Sequence, residues 1–284
     1  IVIGLSVFIE APVINLLSAS TALVKDRQSY EVVKRFTIHL MIGLTIITFL
    51  VGFTPLFNIV VVQLMGTPAD IAEWVRPGMQ VMLLWSAAIG WRRFLYGVLI
   101  NFGYTPRITK GTMVRLFISI GVVLALAFSG RVEGIYVATF GWMTGVIAEA
   151  LYATWAVQPL FQNELAIEKL EPDTPALTYS ELFWFHLPLA NTSILILLGQ
   201  PLVTAALARL DNPELTLAAW PVVYQTMLLM RSPALALPEV VIALSKRPDS
   251  GRAINKFSLT LASLILAVTL FVVLTPANNF YFST

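Results

Sequence analysis

Long apolar runs separated by short polar stretches dominate the chain. A membrane-spanning helix needs about 20 predominantly apolar residues, and eight runs reach or approach that length. We call these predicted spans A to H; they cover 1–24, 36–56, 77–101, 113–129, 134–157, 182–207, 217–244 and 257–277. Apolar and polar residues do not alternate within the runs, which favours helices over barrel strands. The pattern predicts an all-α, polytopic membrane helix bundle.

Composition agrees with this prediction. Of the 284 residues, 57% are hydrophobic and 12% are charged, whereas about 25% charged residues is typical of a soluble domain. A net charge of +2 gives no reason to expect nucleic-acid binding. With no cysteine and two histidines, a metal site is not expected. Because no catalytic constellation is recognisable either, we expect no cofactor and no enzyme activity.

The distribution of Lys and Arg predicts the topology. The loops after spans A, C, E and G hold 12 of these residues, with Arg115 at the start of span D counted with the loop before it, and the loops after B, D and F hold 3. The remaining three, Arg92, Arg93 and Arg231, fall inside spans. Since cytoplasmic loops are enriched in Lys and Arg, the first set of loops is predicted to be cytoplasmic. We therefore expect a multi-pass protein of the cell (inner or plasma) membrane, monomeric in the lipid bilayer.

Spans A and B are repeated as spans G and H at one constant sequence offset. Pro12 and Pro55 correspond in this way to Pro233 and Pro276, and Lys25 to Lys246, without a gap. An even number of helices separates the copies, so they are parallel repeats, which in transporters are related by an axis along the membrane normal. Span F, which precedes G, has no counterpart before span A, so we expect that the first helix of the N-lobe is missing and that about eight helices of a twelve-helix fold are visible.

Three stretches resemble the MOP flippase superfamily, which includes MATE multidrug exporters, lipid-linked oligosaccharide flippases and progressive ankylosis (ANK)-like transporters. They are 93–106, 183–192 and the repeated A and G segments. In the first stretch Tyr104 stands where the family often has Asp, so the motif is partial. The arginines within span C are more similar to the ANK branch.

The resemblance implies two pseudo-symmetric lobes around a cleft. We predict an N-lobe at 1–157, a cytoplasmic linker at 158–181 and a partial C-lobe at 182–284. The implied function is a secondary transporter or exporter working by alternating access, with H⁺ or Na⁺ coupling to be tested. A flippase for lipid-linked precursors is the close alternative, and a non-transporting membrane scaffold is the alternative from another class.

Ionisable residues within the spans are the candidate functional residues, because they are costly in a membrane and usually functional. Glu10 in span A and Arg231 in span G have opposite charges, and the offset that relates Pro12 to Pro233 also relates these two positions. They are therefore equivalent under the repeat, and we predict an ion pair across the cleft. The alternative is that each charge is satisfied within its own lobe.

Four further residues complete the predicted substrate or ion pathway. Arg92 and Arg93 are adjacent, so their side chains project about 100° apart and at most one is expected to face a cavity. Glu149 in span E either neutralises one of these arginines or faces the cavity as a proton carrier. Asn191 follows Pro188 in span F by three residues and could supply a cavity ligand. Because the cavity carries arginine, we expect an anionic or amphipathic substrate.

Overall fold

The computed structural model describes residues 1–163, 176–210, 212–245 and 250–274. Throughout these ranges the regular elements are helices, with no strand. Contacts divide the chain into two compact units, Ile1–Pro213 and Glu214–Thr284. This division follows span F, whereas the predicted linker at 158–181 precedes it. Of that linker, residues 164–175 lie outside the described residues.

The first unit contains nine α-helices in the described part of the chain. They are α1 (Val2–Ile9), α2 (Ala11–Ile14), α3 (Leu16–Leu23), α4 (Arg27–Phe53), α5 (Ala69–Val81), α6 (Trp85–Asn101), α7 (Thr105–Ser129), α8 (Gly134–Asn163) and α9 (Tyr179–Leu207). A π-helix at Asn58–Leu64 follows α4, and a 3₁₀ turn at Met82–Leu84 joins α5 to α6. Neither of these two segments is expected from the apolar pattern.

Span A is broken into α1, α2 and α3. Glu10 and Asn15 interrupt the helix, and the axis bends by 61° between Val2–Ile9 and Ala11–Leu23. Pro12 lies in the first turn of α2. Its ring removes an N–H donor and clashes with the carbonyl oxygen four residues earlier, which accounts for the bend.

Six described helices are long and apolar enough to cross a membrane, or seven if the bent segment 2–23 is counted as one span. Span C does not pass this test, because α6 has only 17 residues and a 3₁₀ turn separates it from α5. The chain is therefore compatible with an integral membrane protein. The count is lower than the eight spans expected from the sequence.

Span D begins earlier than its apolar pattern predicts. The predicted span is 113–129, but α7 begins at Thr105 with Pro106 in its first turn. Proline is favoured there because the first N–H groups of a helix have no intrahelical partner. Arg115 lies well inside α7 and not in the loop before it, with which its charge is counted in the topology prediction.

Helix α6 forms the centre of the first unit and packs against α3, α4 and α8. Phe94, Leu95 and Leu99 are completely buried on it. Gly97 allows the close approach of α3, because a Cβ atom there would overlap the carbonyl oxygen of Leu17. The side chains of the α6 arginines are thus held in a closely packed environment.

The second unit contains α10 (Pro213–Leu235), α11 (Leu237–Ser245) and α12 (Ser250–Leu274) in its described part. Span G is interrupted at Ala236, the position that the repeat makes equivalent to the interruption at Asn15. Each is a one-residue interruption, and the segments Ala11–Leu23 and Glu214–Ser245 each continue as one helix across it. The interruption at Glu10 has no such counterpart, because Arg231 lies within the continuous helix α10.

Candidate functional site

The two arginines of α6 project toward different neighbours. Arg92 pairs with Glu149 on α8, and its guanidinium also lies over the ring of Tyr96 at 5.8 Å from the centroid. Arg93 donates through Nη1 to the carbonyl oxygen of Ile14, at 3.1 Å. This divergence follows from the angle of about 100° between successive residues of a helix.

Glu149 is the centre of a buried polar cluster. Its side chain is completely inaccessible, and its Oε2 atom lies 3.0 Å from Arg92 and 3.5 Å from Arg115. The hydroxyl groups of Tyr96 and Thr112 donate to Oε1 at 3.1 and 3.4 Å. Of the two interpretations of Glu149, the structure shows the ion pair with an arginine of span C. We call these five residues the Glu149 cluster.

Glycines on α8 bring Arg115 to this cluster. Gly141 and Gly145 face α7, and a Cβ atom on either would overlap a side chain of α7, that of Val123 or Ser119 respectively. Two small residues separated by three positions allow membrane helices to approach closely. The spacing is visible in the sequence and could have indicated that α7 and α8 pack together, and hence that Arg115 lies near Glu149.

Glu10 lies at the break between α1 and α2 and is only 6% exposed. The positive charges of Arg93 and, more weakly, of Arg92 interact electrostatically with its carboxylate, and the indole of Trp85 lies beside it. Its Oε2 atom has no hydrogen-bond partner among the described residues. Within the first unit, Glu10 is therefore a buried carboxylate that is influenced by the arginines of α6.

A cavity of about 230 Å³ adjoins the Glu149 cluster between α6, α7 and α8. It is lined by Trp85, Arg115, Ser119, Trp142 and Val146. The two indole rings are 5.8 Å apart. The cavity thus combines a cation and a hydroxyl group with an aromatic wall.

The polar contacts of α9 involve neighbours of Asn191 rather than Asn191 itself. Asn15 donates to the carbonyl oxygen of Leu189 and to Ser193 Oγ, both at 2.7 Å. The ring of His186 bonds to the carbonyl oxygen of Pro12 at 2.8 Å. These contacts join α9 to the bent segment of α1 to α3, while the side chain of Asn191 is exposed.

Arg231 is exposed on α10 and belongs to the second unit. The predicted ion pair between Arg231 and Glu10 joins residues of different units and stays a prediction. The other four predicted residues lie in the first unit: Arg92 pairs with Glu149, and Arg93 and Arg92 influence Glu10. Arg115 joins Glu149, so three arginines accompany two carboxylates in this part of the unit.

Comparisons with family models, with curated proteins and with solved structures found no match to this chain. The function is therefore inferred from the geometry of the site.

Proposed function

We propose that this chain is part of an integral membrane secondary transporter that moves an anionic or amphipathic substrate by alternating access. The observation that carries the proposal is the group of five ionisable residues within apolar helices: Glu10, Arg92, Arg93, Arg115 and Glu149. With both carboxylates ionised, this group has one more positive charge than negative charges. An uncompensated cation in a low-dielectric region favours an anion as its missing partner.

The cost of such residues supports a functional role. On insertion scales, a charged side chain at the centre of a membrane helix costs about 2.5–3.5 kcal/mol. Replacing buried ion pairs with apolar residues of similar size is often neutral or stabilising. A group retained only for stability would therefore have an apolar alternative, and it would also be expected to balance its charges.

Features of the helices support two lobes of parallel repeats. The interruptions at Asn15 and Ala236 are separated by the same offset as Pro12 and Pro233 in the sequence repeat. Apolar segments interrupted by proline in corresponding positions of two halves are typical of transporter binding sites, and Pro12 and Pro233 occupy such positions. This arrangement agrees with the resemblance to the MOP superfamily, and coupling to H⁺ or Na⁺ belongs to the same proposal.

A flippase for lipid-linked anionic precursors is the second candidate. Arg115 favours it, because the side chain is 38% exposed on a helix whose apolar window is only 6% buried. A headgroup could reach this arginine from the side of the membrane. A transporter of small anions does not need such lateral access.

Alternating access can be tested before the substrate is identified. The chain has no cysteine, so the single variant Ile14→Cys can be labelled with a membrane-impermeant maleimide added to right-side-out or inside-out vesicles. Ile14 is half-buried in α2, near the middle of span A. Its matched control is Ile46→Cys on α4, at a side chain that is 53% exposed and expected to face lipid.

For a transporter we expect Ile14→Cys to react from both sides of the membrane and Ile46→Cys from neither. A scaffold has no passage that opens in turn to both sides. Reaction of Ile14→Cys from one side only, or from neither, would contradict alternating access.

A further inference from the structure

Of the two arginines in the Glu149 cluster, Arg115 is the one whose positive charge is less well compensated by the carboxylate. Its guanidinium lies 3.5 Å from Glu149 Oε2, whereas Arg92 approaches the same atom to 3.0 Å. Charge-assisted N–H···O bonds are usually about 2.7–2.9 Å long, so the contact of Arg115 is long. One carboxylate serves two arginines, which leaves one positive charge at this place.

Arg115 lines the neighbouring cavity, whereas Glu149 is not among the residues that line it. Ser119 is one helical turn further along α7 and presents its side chain to the same cavity. A guanidinium and a hydroxyl group four residues apart on one helix face can both donate to the oxygens of one anion. Trp85, Trp142 and Val146 provide the apolar part of the wall.

The cavity is smaller than the sites that enclose complete ligands. Its volume is about 230 Å³, below the roughly 300–1,000 Å³ typical of pockets for drug-sized molecules. It can hold a phosphate group with a few attached atoms. A longer apolar tail would have to lie outside it.

Depth in the membrane fits an anion at the inner lipid interface. The hydrocarbon core is about 30 Å thick, which corresponds to about 20 helical residues. Counting back from the end of α7 at Ser129 places the inner edge of this core near Lys110. At the rise of an α-helix, Arg115 is then about 8 Å further inside. That depth is within reach of a headgroup phosphate drawn slightly inward.

We propose that the cavity between α6, α7 and α8 binds one phosphate group, held by Arg115 and Ser119 against the indoles of Trp85 and Trp142. An anionic phospholipid and a free phosphate share the chemistry that these residues recognise. This proposal concerns binding alone and does not rest on transport. An absence of phosphate binding and an absence of transport are therefore distinguishable results.

The test is native mass spectrometry of the full chain in detergent, with thermal unfolding as a second readout. Dioleoyl phosphatidylglycerol, dioleoyl phosphatidylcholine and inorganic phosphate are titrated separately. We expect one phosphatidylglycerol to bind, at least about tenfold more tightly than phosphatidylcholine, whose choline group compensates the phosphate. If inorganic phosphate alone binds and depends on Arg115, the site stands and its ligand is a free anion.

Variants identify the site. Arg115→Gln should weaken phosphatidylglycerol binding about tenfold or more, since a hydrogen bond to a charged group is usually worth that factor. The fold should persist, because Arg92 and Glu149 remain as a neutral pair. Trp142→Ala keeps the charge but removes part of the wall, and it should weaken the binding of both phosphatidylglycerol and inorganic phosphate several-fold.

The matched control is Lys110→Gln, which removes the same charge from an exposed position on α7. We expect its affinity for phosphatidylglycerol to stay within twofold of the unsubstituted chain. Equal binding of the two phospholipids, or equal losses in Arg115→Gln and Lys110→Gln, would overturn the proposal. The absence of binding by all three probes would do so as well.

Discussion

Replacing Glu149 with glutamine should destabilise the first unit strongly. The side chain is completely buried and lies between two arginines. At about 4 Å between charge centres and an effective dielectric constant of about 20, one such pair contributes about 4 kcal/mol of attraction. Removing one partner of a buried pair typically costs about 3–5 kcal/mol, because the other charge is left uncompensated. We expect Glu149→Gln to lose a free energy of unfolding in this range.

A double-mutant cycle with Arg92→Gln isolates the interaction. Unfolding by SDS in mixed micelles, followed by circular dichroism, gives the free energy for each variant. The double variant should lose clearly less stability than the sum of the two single variants, with a coupling of at least about 1 kcal/mol. The matched control is Glu133→Gln, which removes an exposed carboxylate before α8 and should change stability by less than about 0.5 kcal/mol.

Additivity of Glu149→Gln and Arg92→Gln to within about 0.5 kcal/mol would refute this reasoning, since that is the behaviour of independent sites. A loss for Glu149→Gln no larger than that of Glu133→Gln would do the same. It would mean that water or lipid headgroups already compensate the arginines.

Three further predictions address packing, the repeat and the topology. Gly145→Ala should lower stability by about 1–3 kcal/mol because its Cβ atom would overlap a side chain of α7, while Gly121→Ala, where a Cβ atom meets nothing within 4 Å, should not lower it in the same unfolding assay. If Glu10 and Arg231 form an ion pair, Glu10→Gln and Arg231→Gln should each impair transport and their combination should recover part of it; strict additivity would mean that they do not interact. A cysteine at position 170, outside the described residues, should not react with an impermeant maleimide added outside intact cells, and reaction there would reverse the predicted topology.

Some members of the charged group could be predicted from sequence because they interrupt apolar runs. Arg92, Arg93 and Glu149 stand out in this way, and so does Glu10. The sequence cannot show that Glu149 pairs with Arg92 rather than Arg93. That choice depends on how α6 is rotated relative to α8, which is a matter of tertiary packing.

Arg115 was missed for a different reason. Arg107, Lys110 and Arg115 together look like a charged loop, so Arg115 is counted with that loop although it is the third residue of the apolar run that begins at 113. Pro106 marks the true beginning of α7, and the pair Gly141 and Gly145 indicates close packing of α8. Both features are local and visible in the sequence. The cavity beside Arg115 arises only after the helices have packed, so no sequence pattern predicts it.

The bend of span A was only partly predictable. Pro12 indicates a kink, but the interruption at Asn15 follows from no residue that breaks helices. Asn15 instead donates to α9 through two hydrogen bonds. The geometry of this segment is therefore set in part by contacts with a helix that is distant from it in the sequence.

The central claim is that this protein transports anions. It is tested most directly by measuring charge-selective transport by the purified chain. Proteoliposomes would be loaded with carboxyfluorescein, an anionic amphiphile, or with rhodamine 6G, a cationic one, and release would be followed under an imposed H⁺ or Na⁺ gradient. We predict gradient-dependent release of carboxyfluorescein above that of protein-free liposomes, reduced in Arg92→Gln and unchanged in Arg131→Gln, an exposed control. Release of rhodamine 6G alone, or of neither probe, would contradict a transporter whose arginines within the apolar helices select an anion.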